Sequence, residues 1–343
     1  MPKTIKNVFI KKLTFERMIE AHYRAVKGKR NKKEIINYEI DLETNITNLI
    51  NNIKKNTYKQ GKYREFIVYE PKQRLIKSLP YQDRIVHQWY VEEFIKDFYY
   101  KRFIKDTYAC IKDRGTHKAV DNVQKYMRKM KRVNKNYYVL KCDIKKYFYN
   151  IDKEILINIL GKSIKDIKLL NFTKLILEDG NKKGIPIGNY TSQWFANIYL
   201  NELDHYVKDF LRIKYYVRYM DDFIILLDSK NECKDVINKI KIFLKLNLHL
   251  ELNKKSRYYP NKLGIDFCGY KIFETHRLLR KRSKKKIKKK IKVWNYLKME
   301  ERLDSHKMLL CWNSWIGHAN HSNSYNFINK IHKNIIENEN LKY

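Results

Sequence analysis

The segment Tyr219-Met220-Asp221-Asp222 constrains the fold of this 343-residue chain more than any other feature. Runs of β-branched and aromatic residues flank it, at 215–218 and 223–227, so the sequence predicts two strands joined by a tight turn. Neighbouring residues on a strand face opposite sides, so two carboxylates that serve one centre must lie at the turn. Acids among so many apolar neighbours are costly unless a cation or solvent compensates them. The alternative is an ordinary polar turn, because Asp is common in turns.

A third carboxylate has a matching setting. Asp143 directly follows the apolar run 137–142, which is typical of a strand. One strand end and one hairpin tip can therefore bring three carboxylates together. Magnesium prefers octahedral oxygen coordination and takes few protein carboxylates plus substrate phosphates. This set of ligands is what two-metal phosphoryl transfer requires.

The charge of the chain indicates its substrate. Lys and Arg total 74 against 37 Asp and Glu, a formal charge of +37, which favours a polyanionic partner. Charge alone is also compatible with a nonspecific nucleic-acid coat or a membrane-surface protein. The sequence has no apolar run of about eighteen residues and no signal segment at its start, so we expect a cytoplasmic protein, bacterial or phage-encoded, without a membrane partner.

The cysteines indicate neither a disulfide framework nor a zinc site. Their number is odd, they are far apart, and no two form a Cys-x-x-Cys pair. Beside Asp143, Cys142 is best interpreted as a small buried apolar residue rather than a nucleophile. The five positions are Cys110, Cys142, Cys233, Cys268 and Cys311.

Hydrophobic periodicity predicts a mixed order of helices and strands. Helical patterns cover 15–56, 83–98, 116–130, 153–177 and 190–210, whereas 183–188 is predicted as a loop. Strand patterns cover 63–70, 74–79, 137–142 and the hairpin, with a further strand at 248–254. An order of this kind favours an α+β palm built on an antiparallel sheet.

These residues resemble the motifs of a reverse transcriptase. Five segments follow one another in the order of that family's catalytic motif, template and nucleotide motif, catalytic hairpin, next palm motif and primer grip. They are Asp143 with Tyr147-Phe148, residues 184–193, Tyr219-Met220-Asp221-Asp222, Leu252-Asn253-Lys254-Lys255-Ser256, and residues 264–270.

The subfamily is indicated by one departure. Many reverse transcriptases carry Gln-Gly-x-x-x-Ser-Pro where this chain has Ile187-Gly188-Asn189-Tyr190-Thr191-Ser192-Gln193. That variant resembles the enzymes of diversity-generating retroelements, which copy an RNA repeat with frequent errors at adenines and work with a small basic helical accessory protein. A phage-defence reverse transcriptase with a cognate noncoding RNA is the alternative, and a catalytically idle RNA-binding scaffold is the alternative of another class.

The resemblance implies an α+β right-hand polymerase fold with fingers, palm and a short helical thumb. Residues 1–60 would form an N-terminal helical extension and 61–135 the fingers. Residues 136–272 would form the palm, with a fingers insertion at about 150–190, and 273–343 the thumb. The implied partners are template RNA, primer or cDNA, and deoxynucleoside triphosphates.

The resemblance also implies the residues of the catalytic centre. Asp143, Asp221 and Asp222, with the backbone carbonyl of Ile144, would hold two Mg²⁺ ions, for which Mn²⁺ can substitute. Phe148 resembles the steric gate that excludes a 2′-hydroxyl, with a plain core aromatic as its alternative.

Other implied residues would bind substrates. Lys72 and Arg74 resemble the residues that grip the triphosphate, with a solvated hairpin tip as the alternative, and the remaining nucleotide contacts are Ile187, Gly188, Gln193 and Lys254. Nucleic acid would contact Tyr219, Met220, Gly269 and Tyr270, and also Lys284, Lys285 and Lys288 on a strongly basic helix, whose alternative is a solvated face. We expect His318 and His321 to pack or contact RNA rather than bind a metal.

Overall fold

The computed structural model describes residues 4–69 and 73–336. The helices, in chain order, are α1 (Phe15–Val26), α2 (Lys33–Ile40), α3 (Leu42–Lys54), α4 (Tyr81–Tyr90), α5 (Lys96–Tyr100), α6 (Thr116–Val133), α7 (Tyr147–Asn150), α8 (Lys153–Ser163), α9 (Ile167–Leu177), α10 (Tyr190–His205), α11 (Lys230–Leu248), α12 (Lys281–Met299), α13 (Ser305–Ala319) and α14 (Tyr325–Ile336). π-Helical stretches at Val91–Ile95 and Tyr206–Phe210 continue α4 and α10.

The strands of the described residues form three separate sheets. They are β1 (Arg64–Val68), β2 (Arg74–Ser78), β3 (Tyr138–Asp143), β4 (Tyr216–Tyr219), β5 (Asp222–Leu227), β6 (Arg257–Pro260), β7 (Ile265–Phe267), β8 (Tyr270–Ile272) and β9 (Arg277–Leu279). Their orders are β1-β2, β4-β5-β3-β6 and β7-β8-β9. The pairs β1-β2, β3-β6, β4-β5, β7-β8 and β8-β9 are antiparallel. The predicted α+β class with an antiparallel sheet is confirmed.

The chain divides into two compact units. The first comprises Met1–Ile111, Asp143–Ile213 and Asn238–Lys255, and the second Lys112–Cys142, Lys214–Ile237 and Ser256–Tyr343. In the first unit most side chains of α10 are buried. Beside it Trp89 packs between Phe9, at a centroid distance of 5.6 Å, and Phe172, at 5.8 Å. This core is aromatic, and such rings bury much apolar area while tilted pairs add a further attraction.

The second unit contains the larger sheet and the three C-terminal helices. Helix α6 lies against β4, with Tyr126 5.3 Å from Tyr215 between ring centroids. Ile287 and Ile291 of α12 pack with Trp312 and Ile331 into a separate apolar cluster. These two isoleucines, four residues apart, form the buried apolar side of a strongly basic helix. Within the described ranges, no helix has both the length and the apolar character needed to cross a bilayer.

The predicted helix over 153–177 is wrong, because the chain forms two helices with a break between them. Ile5 makes a parallel bridge with Ile164, and its carbonyl accepts hydrogen bonds from the amides of Lys165 and Asp166. The Asp166 side chain then caps α9 by accepting from the amide of Leu169. The N-terminal segment thus replaces helical hydrogen bonds at the break, which the local periodicity cannot reveal.

The predicted strand over 248–254 is also wrong. Helix α11 extends to Leu248, and beyond it the only β-pairing in this stretch is an isolated antiparallel bridge between Leu252 and Ile144. The helical pattern over 15–56 is confirmed, although it divides into α1, α2 and α3.

Candidate active site

The predicted hairpin is confirmed, and its turn contains two residues. Tyr219 of β4 pairs with Asp222 of β5, which leaves Met220 and Asp221 as the turn. Met220 has a φ of +56°, in the left-handed region that costs a side-chain-bearing residue about 1 kcal/mol. Asp221 therefore lies at the tip as predicted, but the prediction that Asp222 also lies at the turn is wrong, because Asp222 pairs with Tyr219 and begins β5. Such strain is tolerated where surrounding contacts hold it, which often occurs at functional sites.

A buried arginine supports this turn. Arg218 is 0% exposed, and its Nη1 donates to the carbonyl oxygen of Met220 at 2.9 Å. Because this carbonyl belongs to the strained residue, the guanidinium holds the conformation that presents Asp221. Sequence reasoning missed this residue, although an arginine inside an apolar strand was an available signal.

A lysine lies beside the second carboxylate of the hairpin. The Nζ of Lys141 on β3 is 3.4 Å from Oδ2 of Asp222, and Oδ1 of Asp222 is buried. Lys141 also donates to the backbone carbonyl of Asp266. The ammonium supplies positive charge that offsets the cost of burying Asp222. Sequence reasoning gave Lys141 no role, because its partner on β5 is identified only by the pairing of the strands.

Asp143 is held within the first unit by one asparagine. The backbone amide of Asn253 donates to the Asp143 carbonyl at 2.7 Å, and its side-chain Nδ2 donates to Asp143 Oδ2 at 3.0 Å. Two bonds from one residue fix both the end of β3 and the orientation of its carboxylate. The predicted palm motif contains Asn253, but sequence analysis assigned a role only to its exposed neighbour Lys254.

The chain turns sharply after Asp143. Ile144 is 1% exposed and pairs with Leu252, and Lys146 has a φ of +45° where α7 begins. Phe148 is half-buried on α7, and its carbonyl accepts from the amide of Ile185 at 2.8 Å. Phe148 therefore has a fixed backbone and a ring that is partly accessible, as a gate beside a sugar would need.

The predicted nucleotide segment lies against β2. The amide of Lys77 donates to the Ile187 carbonyl at 2.9 Å. Gly188 has a φ of +133°, and a Cβ there would lie 2.5 Å from the Lys77 carbonyl oxygen. Only glycine permits this approach. Gln193 is exposed on the first turn of α10.

Arg74, the other described residue of the predicted triphosphate grip, is the first residue of β2 and is exposed. Its predicted companion Lys72 lies outside the described residues.

The predicted primer-grip segment forms the β7–β8 hairpin. Cys268 and Gly269 make its two-residue turn, with φ values of +45° and +94°. Tyr270 is 0% exposed, and its hydroxyl donates to the His318 carbonyl at 2.7 Å. Burial raises the pKa of the Cys268 thiol to about 12, so this cysteine is not a thiolate nucleophile at neutral pH.

The C-terminal histidines pack within the second unit. His321 stacks on His117 at a centroid distance of 4.1 Å, and His318 lies 4.4 Å from the Tyr270 ring. Burial is the main cause that lowers the pKa of His318. Both histidines therefore pack against neighbouring rings.

The predicted nucleic-acid lysines of α12 differ in their surroundings. The Nζ atoms of Lys284 and Lys288 lie 5.2 and 5.7 Å from the centroid of the Phe327 ring, within cation–π range. Lys285 is exposed. The ring therefore orients two of the three side chains.

The donors of the hairpin suit a hard divalent cation. Carboxylate oxygens are the ligands that Mg²⁺ prefers, so Asp221 and Asp222 fit such an ion by chemistry. Across residues 4–69 and 73–336, however, no three His, Cys, Asp or Glu side chains are grouped as a metal site requires.

Comparison with known proteins finds relatives that are longer than this chain. A putative COX1/OXI3 intron 2 protein of Saccharomyces cerevisiae is 26% identical over 39% of this chain and 24% of its own length. The group II intron-encoded protein LtrA of Lactococcus lactis subsp. cremoris is 26% identical over 38% of this chain and 34% of its own length. The chain thus matches about a quarter to a third of these curated relatives. The solved apo telomerase of Candida tropicalis is 14% identical over 69% of this chain and 52% of its own, with a TM-score of 0.48.

The model of one protein family matches a larger part of the chain. Its description is reverse transcriptase (RNA-dependent DNA polymerase), and it matches residues 53–272. That range includes Asp143, the segment around Gly188 and the hairpin that carries Asp221. Because the match covers more than half of the chain, this protein belongs to the reverse transcriptase family.

Proposed function

We propose that this chain is an RNA-directed DNA polymerase that makes cDNA from an RNA template by two-metal nucleotidyl transfer. Family membership supports the reaction, and the hairpin supports its centre. Its turn holds Asp221 at the tip, where Arg218 donates to the carbonyl of the strained Met220. A carboxylate presented at such a turn is a ligand of the kind that two-metal nucleotidyl transfer requires.

The catalytic role falls to the three carboxylates. Asp143 and Asp221 are the proposed main ligands of two Mg²⁺ ions, with Asp222 in support and the Ile144 carbonyl as a further ligand. When bound, such ions lower the pKa of the primer 3′-hydroxyl and stabilise the charge of the triphosphate and pyrophosphate. The protein prepares these ligands in advance, because Asn253 orients Asp143 and the strained turn presents Asp221.

The nucleotide is proposed to enter between β2 and the segment that contains Gly188. Cations of the β1–β2 hairpin, Arg74 and Lys72, would offset the charge of the triphosphate. Phe148 would pack under the sugar and exclude a 2′-hydroxyl. Its half-buried position supports this role, since a gate must be both fixed and accessible.

The copied duplex is proposed to lie along the basic helix α12. Lys285 is exposed there, and Lys284 and Lys288 are oriented by Phe327. Phosphate contacts by such lysines bind without reading sequence and weaken as salt rises. The division into N-terminal extension, fingers, palm and thumb accompanies this proposal.

Within the family, we propose that the chain is the error-prone enzyme of a diversity-generating retroelement. The support is Ile187, which stands where many relatives carry Gln. An apolar side chain offers no hydrogen bond to the base or template, so base selection would depend on shape alone. A small basic helical accessory protein would accompany this role, whereas a noncoding RNA would accompany a defence role.

The polymerase proposal is tested by deoxynucleotide incorporation on a defined RNA template with a DNA primer and Mg²⁺. Asp221→Asn keeps the size of the side chain but removes its charge, and should lower incorporation at least about 100-fold, because metal ligation is worth several kcal/mol. Asp209→Asn is the matched control, since Asp209 is exposed and pairs only locally with His205. Equal activity of both variants would refute the proposed centre.

Sequencing of the products tests the subfamily. We expect errors concentrated opposite template adenine, and Ile187→Gln should reduce them by restoring a polar contact. Errors spread evenly over the four template bases would reject the retroelement role and favour defence. If no deoxynucleotide is incorporated, either on the defined template or with co-purified RNA, the idle RNA-binding scaffold would be favoured.

A further inference from the structure

A chain of four side-chain hydrogen bonds joins the loop before β1 and helix α4 to the start of α10 inside the first unit. Asn189 Nδ2 and Gln60 Nε2 both donate to the Tyr63 hydroxyl, at 2.8 and 3.0 Å. His87 Nε2 lies 3.1 Å from Gln60 Oε1, and His87 Nδ1 lies 2.8 Å from Thr191 Oγ1. These five residues are named the polar ring, because the backbone between Asn189 and Thr191 closes the chain of side-chain bonds.

With a neutral imidazole, the donors and acceptors of the polar ring have one consistent assignment. Gln60 uses its Nε2 on Tyr63, so its Oε1 accepts from His87 Nε2–H, which leaves His87 Nδ1 to accept from the Thr191 hydroxyl. Burial of the imidazole selects its neutral form. His87 is 2% exposed, and burial lowers its pKa to about 3. His87 is therefore neutral at physiological pH.

Asn189 of the polar ring does not cap the helix that it precedes. Asn189 is the N-cap residue of α10, where an asparagine side chain normally accepts from a free amide of the first turn. Here the side chain makes no capping bond and donates instead to Tyr63, more than a hundred residues earlier in the chain. The stabilisation of the helix end is replaced by a tertiary link.

The location of the polar ring adds to this observation. Asn189 directly follows Gly188, and Thr191 lies two residues further on. The backbone of Ile187 and Gly188 lies against Lys77 of β2. On the other side Tyr63 immediately precedes β1. The polar ring therefore ties the base of the β1–β2 hairpin to the segment 187–193 from two directions, in addition to the bond from Lys77.

We propose that Tyr63, Gln60 and His87 are positioning residues that hold segment 187–193 against β2 and thereby set the affinity and selection of the incoming nucleotide. The inference rests on the proposed function, in which that segment contacts the nucleotide. None of the three needs to touch the substrate. Each acts through Asn189 or Thr191, which are its partners or one hydrogen bond away.

The test compares variants that differ by single hydroxyl groups. Thr191→Val and Tyr63→Phe each break the polar ring, whereas Thr191→Ser keeps its hydroxyl. Thr173→Val is the matched control, because Thr173 is also buried in the first unit but does not belong to the polar ring. Its Oγ1 lies 2.8 Å from the Tyr90 hydroxyl. All four are assayed for deoxynucleotide KM, kcat and misincorporation, beside their thermal stability.

We expect Thr191→Val and Tyr63→Phe to raise the nucleotide KM about tenfold, the size of effect of a buried group that loses its partner, with kcat within about twofold. Thr191→Ser should restore the wild-type KM. Thr173→Val should lower stability without changing KM. If Thr173→Val raises KM as much as the ring variants do, or if the ring variants lose stability alone, the positioning role is refuted.

A second measurement requires no substitution. In ¹⁵N-histidine-labelled wild-type protein, the nitrogen shifts of His87 report its tautomer. We expect a neutral imidazole protonated at Nε2 between pH 5 and 8. A His87 imidazole that is charged, or that is protonated at Nδ1, would overturn the assignment even if a variant fails to fold. An inactive wild-type enzyme with the expected tautomer would refute the proposed function and the nucleotide role, and would leave the ring itself established.

Discussion

Replacement of Gly188 by alanine tests the close approach of the nucleotide segment to β2. Gly188 has a φ of +133°, and an alanine Cβ would lie 2.5 Å from the Lys77 carbonyl oxygen and 3.2 Å from Ile76 Cγ2. The carbonyl is backbone and cannot rotate away. The same residue, Lys77, donates to the Ile187 carbonyl, so relief of the clash must disturb that bond.

The expected loss of unfolding free energy in Gly188→Ala has two parts. A side chain at such a φ costs about 1–3 kcal/mol of backbone strain, and forced overpacking costs about 1–3 kcal/mol more. Gly188→Ala should therefore lower the free energy of unfolding by about 2–6 kcal/mol. Gly115 provides a matched control, because its φ is +116° and a Cβ there would meet nothing within 4 Å. Gly115→Ala should lower the free energy of unfolding by the backbone strain alone, about 1–3 kcal/mol.

The assay is urea unfolding followed by circular dichroism, with the nucleotide KM measured in parallel. We expect a larger loss of stability for Gly188→Ala than for Gly115→Ala, and a raised KM only for Gly188→Ala. Equal losses for the two variants would show that backbone strain is the whole effect. That result would refute the close packing of Gly188 on β2 and the nucleotide site built on it.

Three further outcomes are expected. Asn253→Ala should slow single-turnover incorporation by about 10- to 100-fold, because Asp143 loses a hydrogen bond made to a charged group, and an unchanged rate would remove Asn253 from the site. Arg218→Met should lower the free energy of unfolding by about 1–3 kcal/mol, since the Met220 carbonyl loses its buried donor; urea unfolding measures this, and a gain in stability would contradict it. His87 keeps a neutral ring in the folded state with a pKa of about 3, so below pH 6.5 the unfolded state binds the extra proton and stability falls as the pH falls towards 3. This contributes about 1.4 kcal/mol per pH unit, and His87→Gln should remove that part of the slope in urea titrations between pH 7 and 4; parallel slopes for the two proteins would argue against the neutral buried ring.

Local patterns determine much of this protein. Runs of β-branched and aromatic residues predict β4 and β5, and the tight turn between them follows from the short spacing of the two runs. The same reasoning identifies Asp143 at a strand end. These features depend on neighbours within a few residues, which the sequence displays directly.

Partners distant in the chain were decided only by the tertiary structure. Nothing near residue 164 indicates that Ile5 will take its backbone hydrogen bonds and divide the helix. Likewise Lys141 is one of many lysines until β3 and β5 become neighbours, and Asn253 is one of many asparagines until it meets Asp143. Hydrogen bonds and ion pairs act over a few ångströms in space, whereas a sequence orders residues only along the chain. The sequence therefore supplies the carboxylates and their strands, and the fold supplies the groups that hold them.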